Sequence, residues 1–585
     1  MAGGAADPLT RMRRLRRGSP DWRDVVGGPR DRDWQPRRVA SDAVAGDAIL
    51  SSETALPATP DLTQATAARL GGRAIAMAGL VVVAGVLLSR LLGWARVAVF
   101  AAEFGTSSSL DAFWAAFRIP DTLFQLVAAG ALGSAMVPVV SALLANGEAD
   151  RARRVVSTIA NLMLLALIPL AAVMWLVAPS VVPAIAPIGD ASKLPLEIDL
   201  TRWMLLSPIL LALAAAMTAG LNASGIFGAP ALAPNVYNLA IIVCAILLTP
   251  FMGIYALAAG VVLGALGHVA TQAPAVRRNG LYEPVLDLGD PAVKETLLLM
   301  APRALGMGAT QIVFLVNTYF AVQLAGGMTI YTLAFTALQI PVGLIGVPLG
   351  IVLLPPLSQA IARDDKDRFK RLVDQALRML VWVTVPLAAF MAVLARPALT
   401  LLFQHGEIDA SGTAAMVPVF EVFLVGIVGH VLIALLAPIF YAGKDTRTPV
   451  GAALVAVVVD VAAAAALYPM FHIEGLALAI GIGAWAEVSL LFVFLQRRSD
   501  FDLGPLAYTL GFSIPGASIS AAAAMAVDRG VASLTGASTS ALVLIGDLAL
   551  AGLAGLAVYL AWSKITRLPE LATALDLGRT LLRRR

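Results

Sequence analysis

Residues 81–138 read VVVAGVLLSRLLGWARVAVFAAEFGTSSSLDAFWAAFRIPDTLFQLVAAGALGSAMVP. Two apolar segments of membrane-spanning length are joined by a short polar turn, and among the charges inside or at the edge of them are Arg90, Arg96, Asp111 and Arg118. An ionised group at the centre of a bilayer costs about 2.5–3.5 kcal/mol on insertion scales, so four in close succession point to a polar cavity between helices.

The rest of the chain supports a membrane setting. Of its 585 residues 59% are hydrophobic and 14% charged, with a mean hydropathy of +0.83, far from the balance of a soluble domain. Its one cysteine, Cys244, rules out a disulfide framework within the chain and reads as a small buried side chain. There are four histidines, and no HExxH, GxxxxGK[ST] or GxSxG pattern. An enzyme is therefore disfavoured, and no cofactor, metal site or nucleic-acid partner is expected. Residues 1–70 are rich in Arg, Asp, Gly, Pro and Ser and read as a disordered cytoplasmic tail without the apolar core of a signal peptide. The basic run at 11–17 suits either solvent or anionic headgroups.

From residue 74 onward, apolar segments recur at the length a 30 Å hydrocarbon layer demands of a helix. The reading gives an all-α polytopic membrane protein with fourteen spans: 74–99, 109–144, 155–184, 200–222, 230–249, 253–275, 295–323, 328–361, 372–402, 413–442, 448–468, 474–496, 506–527 and 538–562. Bends are expected at Pro120 and Pro341. Alternate connections contain fifteen Lys and Arg between Arg151 and Arg498, against Lys193 and Arg529 on the other side. The excess places the charged side, and both termini, in the cytoplasm.

A repeat lies within this pattern. PVVSALLANGEADRARR at 138–154 aligns without gaps to PPLSQAIARDDKDRFKR at 355–371, an offset of 217, and Ile119-Pro120 answers Ile340-Pro341. Six helices separate the copies, an even number, so both share one orientation. The expected organisation is a six-helix lobe at 74–275, a second at 295–496, two further helices at 506–562 and a basic cytoplasmic tail at 563–585. Two lobes with a site at their interface suit alternating access.

Candidate site residues follow from the intramembrane charges. Arg90 and Arg96 are six residues apart, about 120° around an ideal helix, and a break at Gly93 would turn both toward one cavity. The planar guanidinium fork suits phosphate or carboxylate; the alternative is that Arg96, and less readily Arg90, snorkels to the interface. For Asp111 two readings stand: a first-turn acid favoured by its helix dipole, or a partner of Arg90 or Arg96. Arg118 precedes the Ile-Pro bend on nearly the same face as Asp111. Arg303, in LMAPRALGMG at 299–308, occupies the second-lobe counterpart of the Arg90 helix and either completes an anion-binding cluster or reaches inner headgroups. Glu421, Asp460, Glu487 and Asp547 are acids in apolar segments, each suited to cation or proton coupling or to a structural hydrogen bond. His268 and His430 read as core residues.

Several of these stretches carry a resemblance. SRLLGWAR at 89–96, DAFWAAFRIP at 111–120, GALGSAMVP at 130–138, LNASGIFGAPALAP at 221–234, GVPLGIVLLP at 346–355, LFQHGEIDAS at 402–411 and FYAGKDTRTP at 440–449 resemble, in order, the signature of the MurJ/MviN family. The resemblance implies a fourteen-helix fold of the multidrug/oligosaccharidyl-lipid/polysaccharide exporter superfamily in the bacterial cytoplasmic membrane. It also implies a flippase moving lipid II, the peptidoglycan precursor on an undecaprenyl diphosphate, from inner to outer leaflet. Helices thirteen and fourteen would offer the lipid tail a groove. Arg90, Arg96 and Asp111 match family cavity positions. The chain departs from the pattern at Phe124, Gln125 and Ala129, where an arginine and a glutamate are usual. It departs again at AFTALQIP, 334–341, which lacks the helix-eight arginine, and at Asn317, where some members carry an acid linked to sodium. Another polyprenyl-diphosphate saccharide or amphiphile is the alternative cargo, a membrane scaffold the non-transporting reading. Coupling to membrane potential, a sodium ion or a proton is left open.

Overall fold

The computed structural model describes residues 72–126, 131–443, 445–499, 501–536 and 540–583; residues 1–70, read as a tail, lie outside them. The described residues form eighteen α-helices. In chain order they are α1 Gly72–Phe104, α2 Ser108–Phe124, α3 Ala131–Ala145, α4 Ala149–Ile185, α5 Leu194–Met204, α6 Leu206–Ala223, α7 Gly228–Met252, α8 Tyr255–Arg278 and α9 Pro291–Ala321. There follow α10 Gly327–Pro341, α11 Val347–Ala362, α12 Lys366–Val393, α13 Ala395–Phe403, α14 Ala410–Ala442, α15 Arg447–Ser499, α16 Gly504–Thr535, α17 Ala541–Ile565 and α18 Pro569–Arg583.

Ten of these stretches are long and apolar enough to cross a membrane. One of them, α15, is two spans joined at His472, whose backbone is not helical. The remaining expected spans correspond to α9 and to the broken pairs α2/α3 and α10/α11. Both breaks follow the Ile-Pro dipeptides: a π-turn covers 125–126 after Pro120, and another covers Val342–Gly346 after Pro341. A proline has no N–H to give the preceding turn, and the freed carbonyls are accommodated by such local widening.

The duplication extends to backbone geometry. Helices α4 and α12 begin at Ala149 and Lys366, again 217 apart, and α3 and α11 end at Ala145 and Ala362, also 217 apart. The tight turn between α7 and α8 is made by Gly253 at φ 55°, ψ −136°; its counterpart inside α15 is His472 at φ 50°, ψ −124°. Starts are fixed by polar caps: Ser107 Oγ accepts from Leu110 N, Asp365 from Arg368 N and Asp409 from Gly412 N.

Packing falls into two groups. Helix α7 lies between α8 and α1, α8 also packs on α6, and α6 on α3 and α4; α14 packs on α15, α12, α10 and α11. The α16–α17 hairpin leans on α12. Helix α9 joins the groups, against α3 and α4 on one side and α15 on the other.

Its start is strapped to the first group. The 279–290 segment runs along α4, where Ser157 Oγ accepts from Glu283 N, Thr158 Oγ1 accepts from Asp287 N, and Asn161 donates to Val285 O and accepts from Tyr282 Oη. Arg151 grips Asp290 through two 2.8 Å bonds, Nε to Oδ2 and Nη2 to Oδ1, while Asp290 caps α9 at Ala292 N. Those bonds, Arg151 first, hold the Asp290 carboxyl below the usual carboxylate range, and they push the Arg151 guanidinium up.

Candidate functional site

The seam between the two groups is crossed by side chains of α1 and α2. Arg90 is half-buried on α1, and its guanidinium lies against Gly343 in the π-turn of the second group, where an added Cβ would collide with Nη1. Glycine is what lets the cation approach that backbone.

Arg96 goes elsewhere. It is 5% exposed, and its Nη1 donates to Asn238 Oδ1 on α7 at 3.0 Å. Asn238 Nδ2 in turn donates to the Ser89 hydroxyl and carbonyl at 3.4 Å. Helix α1 runs unbroken through Gly93, so the expected break is absent. The two arginines keep their separation of about 120° and face different neighbours.

Asp111 does not pair with either arginine through these contacts. Its Oδ2 accepts from Gly326 N at 2.6 Å, and its Oδ1 accepts from Thr329 N and Thr329 Oγ1, both at 2.8 Å. Gly326, the residue capping α10, has a left-handed backbone and no side chain to offer. Asp111, opening α2 and 1% exposed, supplies the missing cap from the other group, its charge at the positive end of α10. Two further bonds close the same end of the bundle: Glu407 N donates to Ala102 O at 2.8 Å, and Gly189 N to Val322 O at 3.0 Å.

Arg118 stands deeper on the α2–α9 seam. It pairs with Asp121 at 3.6 Å and lies 4.9 Å over the Phe314 ring of α9. Phe314 continues edge-on to Phe335, which meets Tyr331 and Phe423. Beside it Thr122 Oγ1 donates to Gln311 Oε1 at 3.4 Å. Arg303 lies on α9, and its side chain is outside the described ones. The geometry thus brings Arg90 and Arg118 to the seam, commits Arg96 to the frame and makes Asp111 a clasp.

Among the other singled-out groups, Asp460, Glu487, Asp547 and His430 are buried, whereas Glu421 is exposed on α14. Asp460 lies against Gly483 across the α15 hairpin. Asn317 is buried on α9 with neither amide atom hydrogen-bonded. No three His, Cys, Asp or Glu side chains gather into a metal-holding group among the described residues. The sequence reading passed over Asn238, Thr329 and Glu197. Asn238 carries no pattern of its own, Thr329 emerges only when Gly326 is seen to need a cap, and Glu197 shares the LPLEIDL stretch with Asp199, with nothing to tell the buried acid from the exposed one.

Solved structures share this architecture. The inward-facing conformation of a multidrug resistance MATE family transporter of the MOP superfamily matches 71% of this chain and 95% of its own, with a TM-score of 0.62 at 16% identity. A lipid II flippase MurJ in an inward closed conformation matches 83% of this chain and 98% of its own, with a TM-score of 0.70 at 21% identity. The fold is therefore the one these two membrane transporters share. Within it, the family described as "Lipid II flippase MurJ" matches residues 100–544. The lipid II flippase MurJ of Burkholderia cenocepacia is 32% identical over 429 residues, covering 72% of this chain and 83% of its own. A probable lipid II flippase MurJ of Rhizobium meliloti is 32% identical over 491 residues, covering 81% and 90%. The chain belongs to the lipid II flippase MurJ family.

Proposed function

We propose that this chain is a flippase that carries lipid II from the inner to the outer leaflet of the bacterial cytoplasmic membrane by alternating access. The observation that carries the reading is the seam itself: guanidinium groups from α1 and α2 face the second helix group, while Asp111 clasps one end of the bundle shut. A diphosphate is a dianionic, bidentate acceptor, and arginines in a water-poor seam are suited to it. Arg90 and Arg118 bind the headgroup in this account, with Arg303 on the facing helix, while Arg96 and Asp111 set the frame. The units at 74–275 and 295–496 rock against each other, helices 506–562 flank the lipid tail, and both termini are cytoplasmic. Membrane potential or a monovalent cation resets the cycle.

Expression in bacterial cells depleted of their own flippase tests this: growth is the expected result, and failure of a well-inserted protein overturns it. A second cargo, another polyprenyl-diphosphate saccharide, is favoured by one observation, the stretch Ala334–Pro341 on α10 without an arginine. Photocrosslinking from position 118 separates the two by the glycan recovered.

A further inference from the structure

Glu197 lies in the first turn of α5 and is fully buried, and neither carboxyl oxygen has a hydrogen-bond partner. Helix α5 packs on α2, α4, α8 and, more lightly, α6. On α2 the charged groups are Asp111, Arg118 and Asp121, the first held by Gly326 and Thr329 and the other two paired with each other. Helix α4 has no titratable residue between 155 and 185, and α6 has none. Helix α8 offers Tyr255, His268, Arg277 and Arg278, the turn before α5 has Asp190 and Lys193, and α5 itself has Asp199 and Arg202, paired at 3.9 Å. None of these contacts Glu197 through an ion pair or hydrogen bond among the described residues. An ionised carboxylate with no partner in an apolar interior is strongly disfavoured, and such a group takes up a proton instead.

The segment leading into this site belongs to the closed end. One turn before Glu197 lies the 3-10 turn Ala191–Lys193, which touches α2 and is separated by Asp190 alone from Gly189, the residue bonded to Val322 of the second group. Separating the groups at that end would break the Gly189–Val322 bond, the tether of the segment that leads to Glu197.

We propose that Glu197 is a proton-binding site whose occupancy is tied to closure of the Asp111 end of the bundle. On opening, the O–H bond breaks, its electron pair stays on the carboxylate, and the proton passes to water entering past 191–193. On closing, one proton is taken back from that solution. This rests on the alternating-access reading for its role in transport, though not for the proton itself.

The test uses the full chain in lipid nanodiscs with spin labels on A191C and Q323C in a C244S background. In the otherwise native chain, the short-distance population is expected to grow as pH falls from 9 to 5. E197Q, permanently neutral, should hold that population high and nearly flat across the range, with E197D retaining a pH response. Infrared difference spectra at pH 7, native minus E197Q, should contain a protonated carboxyl C=O band that shifts in deuterated water. The same pH response in E197Q as in the native chain, or no such band, overturns the proposal. Neither readout requires lipid transport, so failure to rescue flippase-depleted cells would count against the cargo reading and leave this one to its own test.

Discussion

In the first helix group two cations have fixed partners: the buried Arg96 is bonded to Asn238, and the half-buried Arg118 is held between Asp121 and Phe314. In the second group, built on the same repeated backbone, the buried polar groups include two acids and a histidine beside threonines such as Thr384 and Thr413. One oxygen each of Asp460 and Glu487, and both ring nitrogens of His430, have no hydrogen-bond partner. Duplication preserved bends, helix starts and the tight turn, while electrostatics diverged. The lesson is that a shared backbone does not dictate shared side-chain partners: the first half pairs its cations with Asn238 and Asp121, and the second pairs Arg378 on α12 with Glu570 at 2.7 Å. In the first half the Glu197 carboxyl and the Nδ1 of His268 likewise have no hydrogen-bond partner, and Glu197 sits at the end that the clasp closes.

The sharpest way to break the comparison is to cut the link between halves. Asp111→Ala removes three hydrogen bonds to α10 and leaves the start of that helix uncapped. Buried bonds to a charged group contribute about 1.5–3 kcal/mol each. A loss of about 3 kcal/mol at this end corresponds to roughly a hundredfold shift toward the open form. Hydrogen exchange of residues 326–330 should accelerate by about that factor, and rescue of flippase-depleted cells should fail. Unchanged exchange would mean that Asp111 is not a clasp.

Gly343→Val comes next, and it asks whether Arg90 must lie against the π-turn. The side chain would collide with the guanidinium, whose long stem can swing aside. We expect the melting temperature to stay within about 2 °C, a change of under 1 kcal/mol in a chain of this size, while rescue falls sharply. Full rescue would remove Arg90 from the proposed headgroup contact.

The strap offers a milder test. Asp290→Asn leaves Arg151 without its carboxylate and weakens the α9 cap. Exchange of residues 281–290 should rise with little change elsewhere. Because the folded Asp290 carboxyl titrates below its unfolded range, its contribution is complete above about pH 4 and is lost as pH falls below that value. Native and variant should therefore differ at pH 7 and converge in acid; a difference that persists at low pH would assign the effect to packing.

Much of the fold was legible because it depends on local chemistry. Apolar length sets the spans, proline marks the bends, and the 217-residue offset recurs in the starts of α4 and α12. The site was legible as composition but not as direction. Arg90 and Arg96 stand in one motif, yet only the unbroken course of α1 decides that one faces the seam and the other α7. Asp111 read as a first-turn acid or as a partner of Arg90 or Arg96; it does open α2, and the partner it bonds is a glycine 215 residues away. Glu197 gives no periodic signal, since its isolation is a property of four packed helices.

The smallest effect tests the duplication itself. Gly253 and His472 hold nearly the same backbone angles, close to the first central position of a II′ turn, where glycine is favoured. A Cβ at 253 meets nothing within 4 Å, so Gly253→Ala should cost about 2 kcal/mol from backbone strain alone. His472 already bears that strain, offset in part by its ring against Tyr468 at 5.9 Å. His472→Gly relieves about 2 kcal/mol of strain, loses about 0.7 kcal/mol to the freer unfolded chain and about 0.5–1 kcal/mol of ring contact. The net expectation is a small stabilisation of about 0.5 kcal/mol, opposite in sign to Gly253→Ala and seen as a slightly raised melting temperature. If both substitutions destabilise equally, the two turns share a shape but not its energetic origin, and His472 is held there by its ring.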